Sequence, residues 1–228
     1  MILLDISPGN CQILNGSYIF LNEVNGTPLH KEIIDWFMTL PLWLELDGIR
    51  VTHACWHSPH MNFLAPMLAE GNCLTHDLMI QASREPLDES EKDTAQPSIF
   101  KAVEAITKGI EVQLPSPHTF ADKDGTQRNR VRVRWWDANA VSYQQAAMLH
   151  DSAKRELPSE PIPSHAFLQY ESPVPLFIGH YWLNGTPTLL SDTVACVDYS
   201  IAKGGKLVAY RWDGEDVLNS TKFHSVGL

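Results

Sequence analysis

The sequence predicts a protein of the mixed α/β (α+β) class. Apolar residues recur with a helical period in residues 30–40, 61–70 and 98–109, whereas the last quarter carries β-branched and aromatic residues in runs of strand length. With 228 residues, of which 44% are hydrophobic and 19% charged, the chain can bury one sizeable core. We therefore expect an irregular segment over residues 1–20, which show no clear period, and one folded region over residues 21–228.

Start and stop signals divide the first half into helices and one hairpin. Thr27 and Pro28 form a helix start, because threonine caps a helix and proline is tolerated in its first turn. Asp47-Gly48 is typical of the turn of a β-hairpin. The predicted helices cover residues 30–40, 61–70, 75–83 and 98–109. The predicted strands flank the hairpin turn and cover residues 42–46 and 49–55.

The second half is expected to contain more strands than helices. Residues 84–97 are acidic and polar, which favours an exposed loop, and the charged segment 123–130 contains a turn at Asp124-Gly125. A polar helix is predicted over residues 142–157, followed by a proline-rich connector over residues 158–175. The predicted strands cover residues 131–136, 176–183, 193–201 and 206–212.

Charge and cysteine content restrict the class of protein. A net charge of −10 and a pI of about 5.4 argue against nucleic acid as a partner, because phosphate contacts need clustered lysine and arginine. No run approaches the roughly 18 apolar residues that a bilayer span needs, so no membrane partner is expected. Cys55 and Cys196 lie in apolar runs, as buried free thiols do, and a cytoplasmic location is the simplest expectation.

Two strand-like runs each end in a histidine. His53 follows Arg50-Val51-Thr52, and His180 follows a run that begins at Leu176. Histidine at the end of a buried strand can hold a metal ion, since a neutral imidazole nitrogen is a good ligand for transition metals. A packed, hydrogen-bonded side chain is the alternative interpretation of each residue.

Four passages, taken in order, resemble bacterial calcineurin-like metallophosphoesterases. They are PLWLELDGIRVTHA at residues 41–54, Arg134-Trp135-Trp136-Asp137, Gly179-His180, and DYSIAKGGKLVAYR at residues 198–211. The resemblance extends over about residues 21 to 218. It points to the branch that includes serine/threonine-phosphatase-like and symmetrical diadenosine-tetraphosphatase-like enzymes.

The resemblance implies a fold, a cofactor and a reaction. The fold would be a metallophosphoesterase-type β-sandwich of mixed sheets flanked by helices, incomplete at its N-terminal side, with residues 21–228 as the C-terminal part of the domain. The family's site holds two divalent transition metals (manganese, iron, zinc, cobalt or nickel), at which activated water hydrolyses a phosphate ester. His53 and His180 match metal ligands of that site. Arg134 is a candidate phosphate contact, because guanidinium groups suit bidentate phosphate binding, with a solvated strand face as the alternative for Arg132 and Arg134.

The acidic ligands of that family are missing from this sequence. The signatures GDxHG, GDxxDRG and GNHE do not occur, and neutral imidazoles alone cannot hold two dications side by side. We therefore expect an N-terminally truncated or decayed member with at most one partial metal site and weak or no activity. Its substrate would be a phosphorylated small molecule, a nucleotide such as a dinucleoside polyphosphate, or a phosphoprotein.

Two classes of non-enzyme stand as alternatives. One is a non-catalytic remnant or interaction module that self-associates through exposed sheet edges. The other is a nucleotide-binding module in which Trp135 or Trp136 stacks on a base, although both tryptophans are more simply explained as core and loop anchors. Asp198 is expected to fix a turn by local hydrogen bonds.

A second pair of histidines follows the first candidate ligand. His57 and His60 lie four and seven residues after His53, a spacing that would place them on one face of a helix. The intervening Ser58-Pro59 favours a loop instead. We therefore expect no metal site at this pair.

Overall fold

A computed structural model describes residues 21–122 and 125–227 of the chain. The segment 1–20, which is predicted to be irregular, and the turn residue Asp124 lie outside the described residues. The described residues form helices and several small sheets, which confirms the mixed α/β class. None of the helices in these two ranges is both long enough and apolar enough to pass through a bilayer.

The helices follow the predicted order. They are α1 (Pro28–Phe37), α2 (Ser58–Leu64), α3 (His76–Ala82), α4 (Ile99–Lys108), α5 (Tyr143–Ala146) and α6 (Asp151–Lys154). Short 3-10 turns lie at Ala65–Met67, Glu70–Asn72, Glu89–Asp93, Ser164–Ala166, Ile201–Lys203 and Ser220–Lys222.

Three of the predicted helix starts are confirmed. The side chains of Thr27, Thr75 and Ser98 each accept a hydrogen bond from the backbone amide three residues further on, at 3.2–3.3 Å. Such caps satisfy amides that have no partner within the helix. Helix α4 ends at Gly109, whose φ of +85° suits glycine.

Two predicted helices differ from the structure. The helix predicted over residues 61–70 begins earlier, at Ser58, and its α-helical part ends at Leu64. Residues 142–157 are divided into α5 and α6, because the backbone after α5 bonds to an extended segment rather than to itself. The Ala146 carbonyl accepts from the amide of Arg134 at 2.8 Å, and the Met148 amide donates to the Arg132 carbonyl at 2.8 Å. These tertiary bonds outweigh the helical preference of the sequence.

The strands form one mixed sheet and three small antiparallel ones. They are β1 (Trp43–Leu46), β2 (Ile49–Thr52), β3 (Glu111–Gln113), β4 (Phe120–Ala121), β5 (Gln127–Arg128), β6 (Arg130–Arg132), β7 (Leu176–Ile178), β8 (Val194–Cys196), β9 (Asp198–Tyr199), β10 (Lys206–Tyr210) and β11 (Phe223–Gly227). The mixed sheet has the order β1-β2-β7-β8, with β1 antiparallel to β2 and the other neighbours parallel. The smaller sheets are β11-β10-β9, β3-β6 and β4-β5.

The hairpin turn at Asp47-Gly48 is confirmed, since Leu46 pairs with Ile49 across it.

Several strands are shorter than predicted. Residues 193–201 are divided between β8 in the mixed sheet and β9 in the three-stranded sheet, and β7 already ends at Ile178. The early end of β7 has a functional consequence, because it leaves His180 in a loop rather than in a strand.

The core lies between the mixed sheet and helices α2, α3 and α4. Strands β7 and β8 and the inner face of α4 are almost completely buried. Cys55 and Cys196 are 0% exposed and unpaired, as predicted for buried thiols. Trp135 and Trp136 are 2% and 9% exposed, which confirms their interpretation as core anchors.

Candidate metal centre

The parallel pairing of β2 and β7 places both candidate ligands at one edge of the sheet. Val51 is opposite Phe177, so His53 and His180 come one and two residues after the ends of these strands. The Gly179 amide donates to the His53 carbonyl at 2.9 Å, which continues the pairing into the loops. The ring centroids of His53 and His180 are 5.1 Å apart and the ring planes differ by 61°.

The separation of the rings agrees with binding to one metal ion. A metal bound about 2.1 Å from a ring nitrogen lies about 3.2 Å from the centre of that ring. When the angle between the two ligands at the metal is about 90–109°, the ring centroids are about 4.5–5.2 Å apart. The observed 5.1 Å lies within this range. The same separation is also that of an edge-to-face contact between two rings, which is how the planes at 61° are arranged.

Burial keeps both rings neutral. Desolvation lowers the pKa of His53 to about 4, against the opposing effect of the Asp198 carboxylate. Desolvation, followed by the positive charge of Arg132, lowers the pKa of His180 to about 3. Near pH 7 both imidazoles therefore have a lone pair available, which is the form that binds metals.

Nε2 of His180 is buried and has no hydrogen-bond partner among the described residues. A buried polar atom without a partner costs about 1–3 kcal/mol, and such atoms in native structures call for an explanation, such as a bound ion. A metal ion at Nε2 would remove this cost.

The loop that carries His180 has a strained backbone. His180 and Trp182 have φ values of +70° and +48°, in the left-handed region that side chains other than glycine seldom adopt. Each such residue costs of order 1–3 kcal/mol, persists only where the surroundings fix it, and is enriched at functional sites.

One carboxylate lies beside the histidines. A Cβ added to Gly179 would lie 3.7 Å from the His53 carbonyl oxygen and 3.8 Å from Cβ of Asp198, so the three residues are neighbours. Oδ1 of Asp198 accepts from the Ser200 amide at 3.1 Å, which confirms the predicted turn-fixing role. Its negative charge also acts on His53, a contribution that the sequence did not indicate.

The two candidate arginines have different surroundings. Arg134 donates to the Gln145 carbonyl, and its guanidinium is 3.6 Å from the Asp137 carboxylate. Arg132 pairs with Glu111 at 3.1 Å and is the positive group that acts most strongly on His180. The role of Arg134 as a phosphate contact stays a prediction, and Arg132, which the sequence placed on the same strand face, is the arginine whose charge acts on His180.

Tyr181 connects the loops around the candidate ligands. Its hydroxyl donates to the Ala54 carbonyl at 3.0 Å, next to His53, and accepts from Nε1 of Trp135 at 2.8 Å. The side chain is 8% exposed. The position of Tyr181 directly after His180 is the one sequence feature that could have indicated its role. No sequence pattern shows that three distant segments meet at its hydroxyl.

The rim of the centre carries an exposed tryptophan that the sequence did not single out. Trp182 is 46% exposed, and the Lys203 ammonium lies 4.2 Å from the centroid of its ring. A cation held over an aromatic face is a weak attractive contact at an exposed position. If an aromatic group of a substrate stacks near this centre, Trp182 is more accessible than Trp135 or Trp136.

The second histidine pair does not form the predicted loop. Ser58 and Pro59 instead begin helix α2, and Nδ1 of His57 accepts from the His60 amide at 3.2 Å. The two rings stack, with centroids 3.8 Å apart and planes at 16°. Because a metal lies close to the plane of each imidazole that binds it, two nearly parallel stacked rings cannot share one ion.

Within residues 21–122 and 125–227, no cluster of three or more histidine, cysteine, aspartate or glutamate side chains is arranged around a possible metal position. Comparisons with known proteins identify no relative of this chain: no family model matches it, and neither a curated protein nor a solved structure is significantly similar.

Proposed function

We propose that this chain is a metal-dependent phosphoesterase of the calcineurin-like type, in which His53 and His180 bind one divalent transition metal. The observation that supports this most strongly is the 5.1 Å separation of the two rings at the ends of adjacent parallel strands. Ligands commonly bind at this edge of parallel sheets. The mixed sheet and the contacts of α4 with α2 and α3 are compatible with a mixed α/β domain.

The residues of the chain would hold the metal and orient the phosphate. When bound, the metal supplies Lewis-acid chemistry, since it polarises a phosphoryl oxygen and acidifies a water molecule. His53 and His180 contribute neutral nitrogens, and Asp198 places a negative charge beside His53. Arg132 or Arg134 would bind phosphate oxygens through a guanidinium. With one carboxylate close to the ligands, we propose weak turnover of phosphate monoesters or dinucleoside polyphosphates.

A hydrolysis assay tests this proposal. The purified chain is incubated with Mn²⁺ and either p-nitrophenyl phosphate or a dinucleoside tetraphosphate, beside the double variant His53→Ala/His180→Ala. His224→Ala serves as the control, because His224 is exposed on β11. We expect Mn²⁺-dependent phosphate release that the double variant loses and the control keeps. Equal release by all three proteins, or none at high protein concentration, would refute the proposed activity.

Exposed apolar side chains favour a second candidate function, that of an interaction module. Leu44 and Leu46 on the edge strand β1 are 38% and 51% exposed, and Leu207 and Val226, paired across β10 and β11, are 58% and 68% exposed. Exposed apolar edges promote association between chains. Sedimentation over a range of concentrations checks this: self-association without metal-dependent hydrolysis would support the module, and a monomer at all concentrations would argue against self-association.

A further inference from the structure

We propose that Tyr181 is a positioning residue of the candidate metal centre, which fixes the loops of both histidines through its buried hydroxyl. This inference rests on the proposed function, because Tyr181 would position the ligands of the proposed metal. The contacts that support it do not involve a metal.

Two hydrogen bonds connect the loop that carries His53 to the loop that carries His180. Tyr181 directly follows His180 in the chain, and its hydroxyl donates to the carbonyl of Ala54, which directly follows His53. One hydrogen bond of 3.0 Å therefore joins the two loops that carry His53 and His180. The Gly179 amide joins the same loops through the His53 carbonyl at 2.9 Å.

Two further segments hold the hydroxyl in place. Nε1 of Trp135 donates to it at 2.8 Å, so the oxygen both accepts and donates. The ring of Trp136 packs against the tyrosine ring, with centroids 4.8 Å apart at 74°. At the end of α4, Gly109 leaves the space that the hydroxyl occupies, since a Cβ there would lie 2.4 Å from the oxygen.

The backbone on either side of Tyr181 requires such a constraint. His180 and Trp182 both have positive φ values, and backbone of this kind relaxes unless its neighbours fix it. Between these two residues, the Tyr181 hydroxyl bonds to the Ala54 carbonyl, and the Tyr181 amide donates to the Gly179 carbonyl at 2.8 Å. Its loss would free the loop to relax, so that the ring of His180 would no longer be held 5.1 Å from that of His53.

The test compares two tyrosine-to-phenylalanine variants. Tyr181→Phe removes the hydroxyl between the loops. Tyr199→Phe is the matched control, because Tyr199 is 3% exposed and its hydroxyl accepts from the Thr188 amide at 3.0 Å, whereas that of Tyr181 bonds to the carbonyl that follows His53. Native-state hydrogen exchange is measured for the amides of Ala54 and Gly179 and, as a reference, for β10 and β11. The affinity for Co²⁺ is measured by visible absorption.

We expect Tyr181→Phe to accelerate exchange at Ala54 and Gly179 by about tenfold relative to β10 and β11, and to weaken Co²⁺ binding by about tenfold, as for residues that orient metal ligands. Tyr199→Phe should change neither. Uniform acceleration throughout the protein, or equal effects of both variants, would overturn the positioning role. If the unmodified chain binds no Co²⁺ but the local acceleration occurs, the proposed function fails while the role of Tyr181 in fixing the loops is supported.

The unmodified chain provides a second measurement in case Tyr181→Phe does not fold. The amides of Ala54 and Gly179 should then exchange through one shared opening in increasing urea, because the same hydroxyl holds both loops. Separate openings with different urea dependence would overturn the proposal.

Discussion

The chemistry of the candidate site depends on a few neutral imidazoles. His53 and His180 are brought together by strand pairing, and burial keeps both uncharged near neutral pH. Nε2 of His180, which is buried and has no hydrogen-bond partner among the described residues, is the ring atom that a bound metal would satisfy.

Removal of either ring should abolish most metal binding. We expect His53→Ala and His180→Ala each to weaken the affinity for Co²⁺ by well over about tenfold, since even residues that only orient metal ligands contribute that much. Equilibrium titration followed by visible absorption measures this. His224→Ala, on exposed β11, should bind as the unmodified chain does. Unchanged affinity in both single variants would show that the metal binds elsewhere.

The two arginines can be separated by phosphate binding. We expect Arg132→Ala to raise the inhibition constant of inorganic phosphate by about tenfold, because a charge-assisted contact is worth more than a neutral one. Arg134→Ala should have the smaller effect, because Arg132 is the arginine whose positive charge acts most strongly on His180. The reverse order would restore Arg134, the residue that the sequence indicates, as the principal phosphate contact.

At the scale of elements, the site exists because β2 and β7 are parallel neighbours. The sequence predicted both strands and placed a histidine in each of them, whereas in the structure each histidine follows its strand. It could not predict that they pair, because strand order depends on contacts between segments far apart in the chain. The resemblance implied only that His53 and His180 bind the same metal, and it did not specify which strands pair. The prediction of one continuous helix over residues 142–157 failed for the same reason, because the backbone at the end of α5 bonds to that of Arg132 and Arg134.

The sequence predicted local features such as helix caps and turns more reliably than contacts between distant segments. The caps at Thr27, Thr75 and Ser98 and the turn at Asp47-Gly48 are confirmed, because each depends on residues adjacent in sequence. The hydroxyl of Tyr181 and the charge of Asp198 beside His53 were missed. Both act on residues far from them in sequence.

The β1–β2 hairpin, which positions β2, can be tested at its turn. Gly48 has φ +81°, and an added Cβ would lie 2.6 Å from the ring of Trp212. Gly26 has φ +76° but open space around it, so Gly26→Ala isolates the backbone cost. We expect Gly26→Ala to lower the free energy of unfolding by about 1 kcal/mol and Gly48→Ala to lower it by at least about 1 kcal/mol more.

Urea denaturation of the two glycine variants provides the measurement. Equal destabilisation would show that the Trp212 ring moves aside without cost. In that case the hairpin would be less firmly packed than the contact with Trp212 indicates.

For the whole molecule, buried histidines determine the response to acid. Desolvation lowers the pKa of His53 and His57 to about 4 and that of His60 and His180 to about 3. In the unfolded chain these groups have a pKa of about 6.5. Below that value the unfolded state binds more protons than the folded state, so stability falls as the pH falls.

We therefore expect the urea midpoint to fall steadily from pH 7 to pH 4. Each unit of lowered pKa is worth about 1.4 kcal/mol at most, and the partial exposure of the rings reduces it. The variant His57→Asn/His60→Gln, which keeps a good capping residue at position 57, should show a shallower decline. A midpoint that stays constant between pH 7 and pH 4 would contradict the burial of these rings.

The most direct measurement is the position of a metal in crystals of the chain soaked with Co²⁺, located by anomalous diffraction. We predict one peak within about 2.3 Å of a ring nitrogen of both His53 and His180. A peak bound to neither ring, or an ordered pair of empty imidazoles at saturating Co²⁺, would contradict the account.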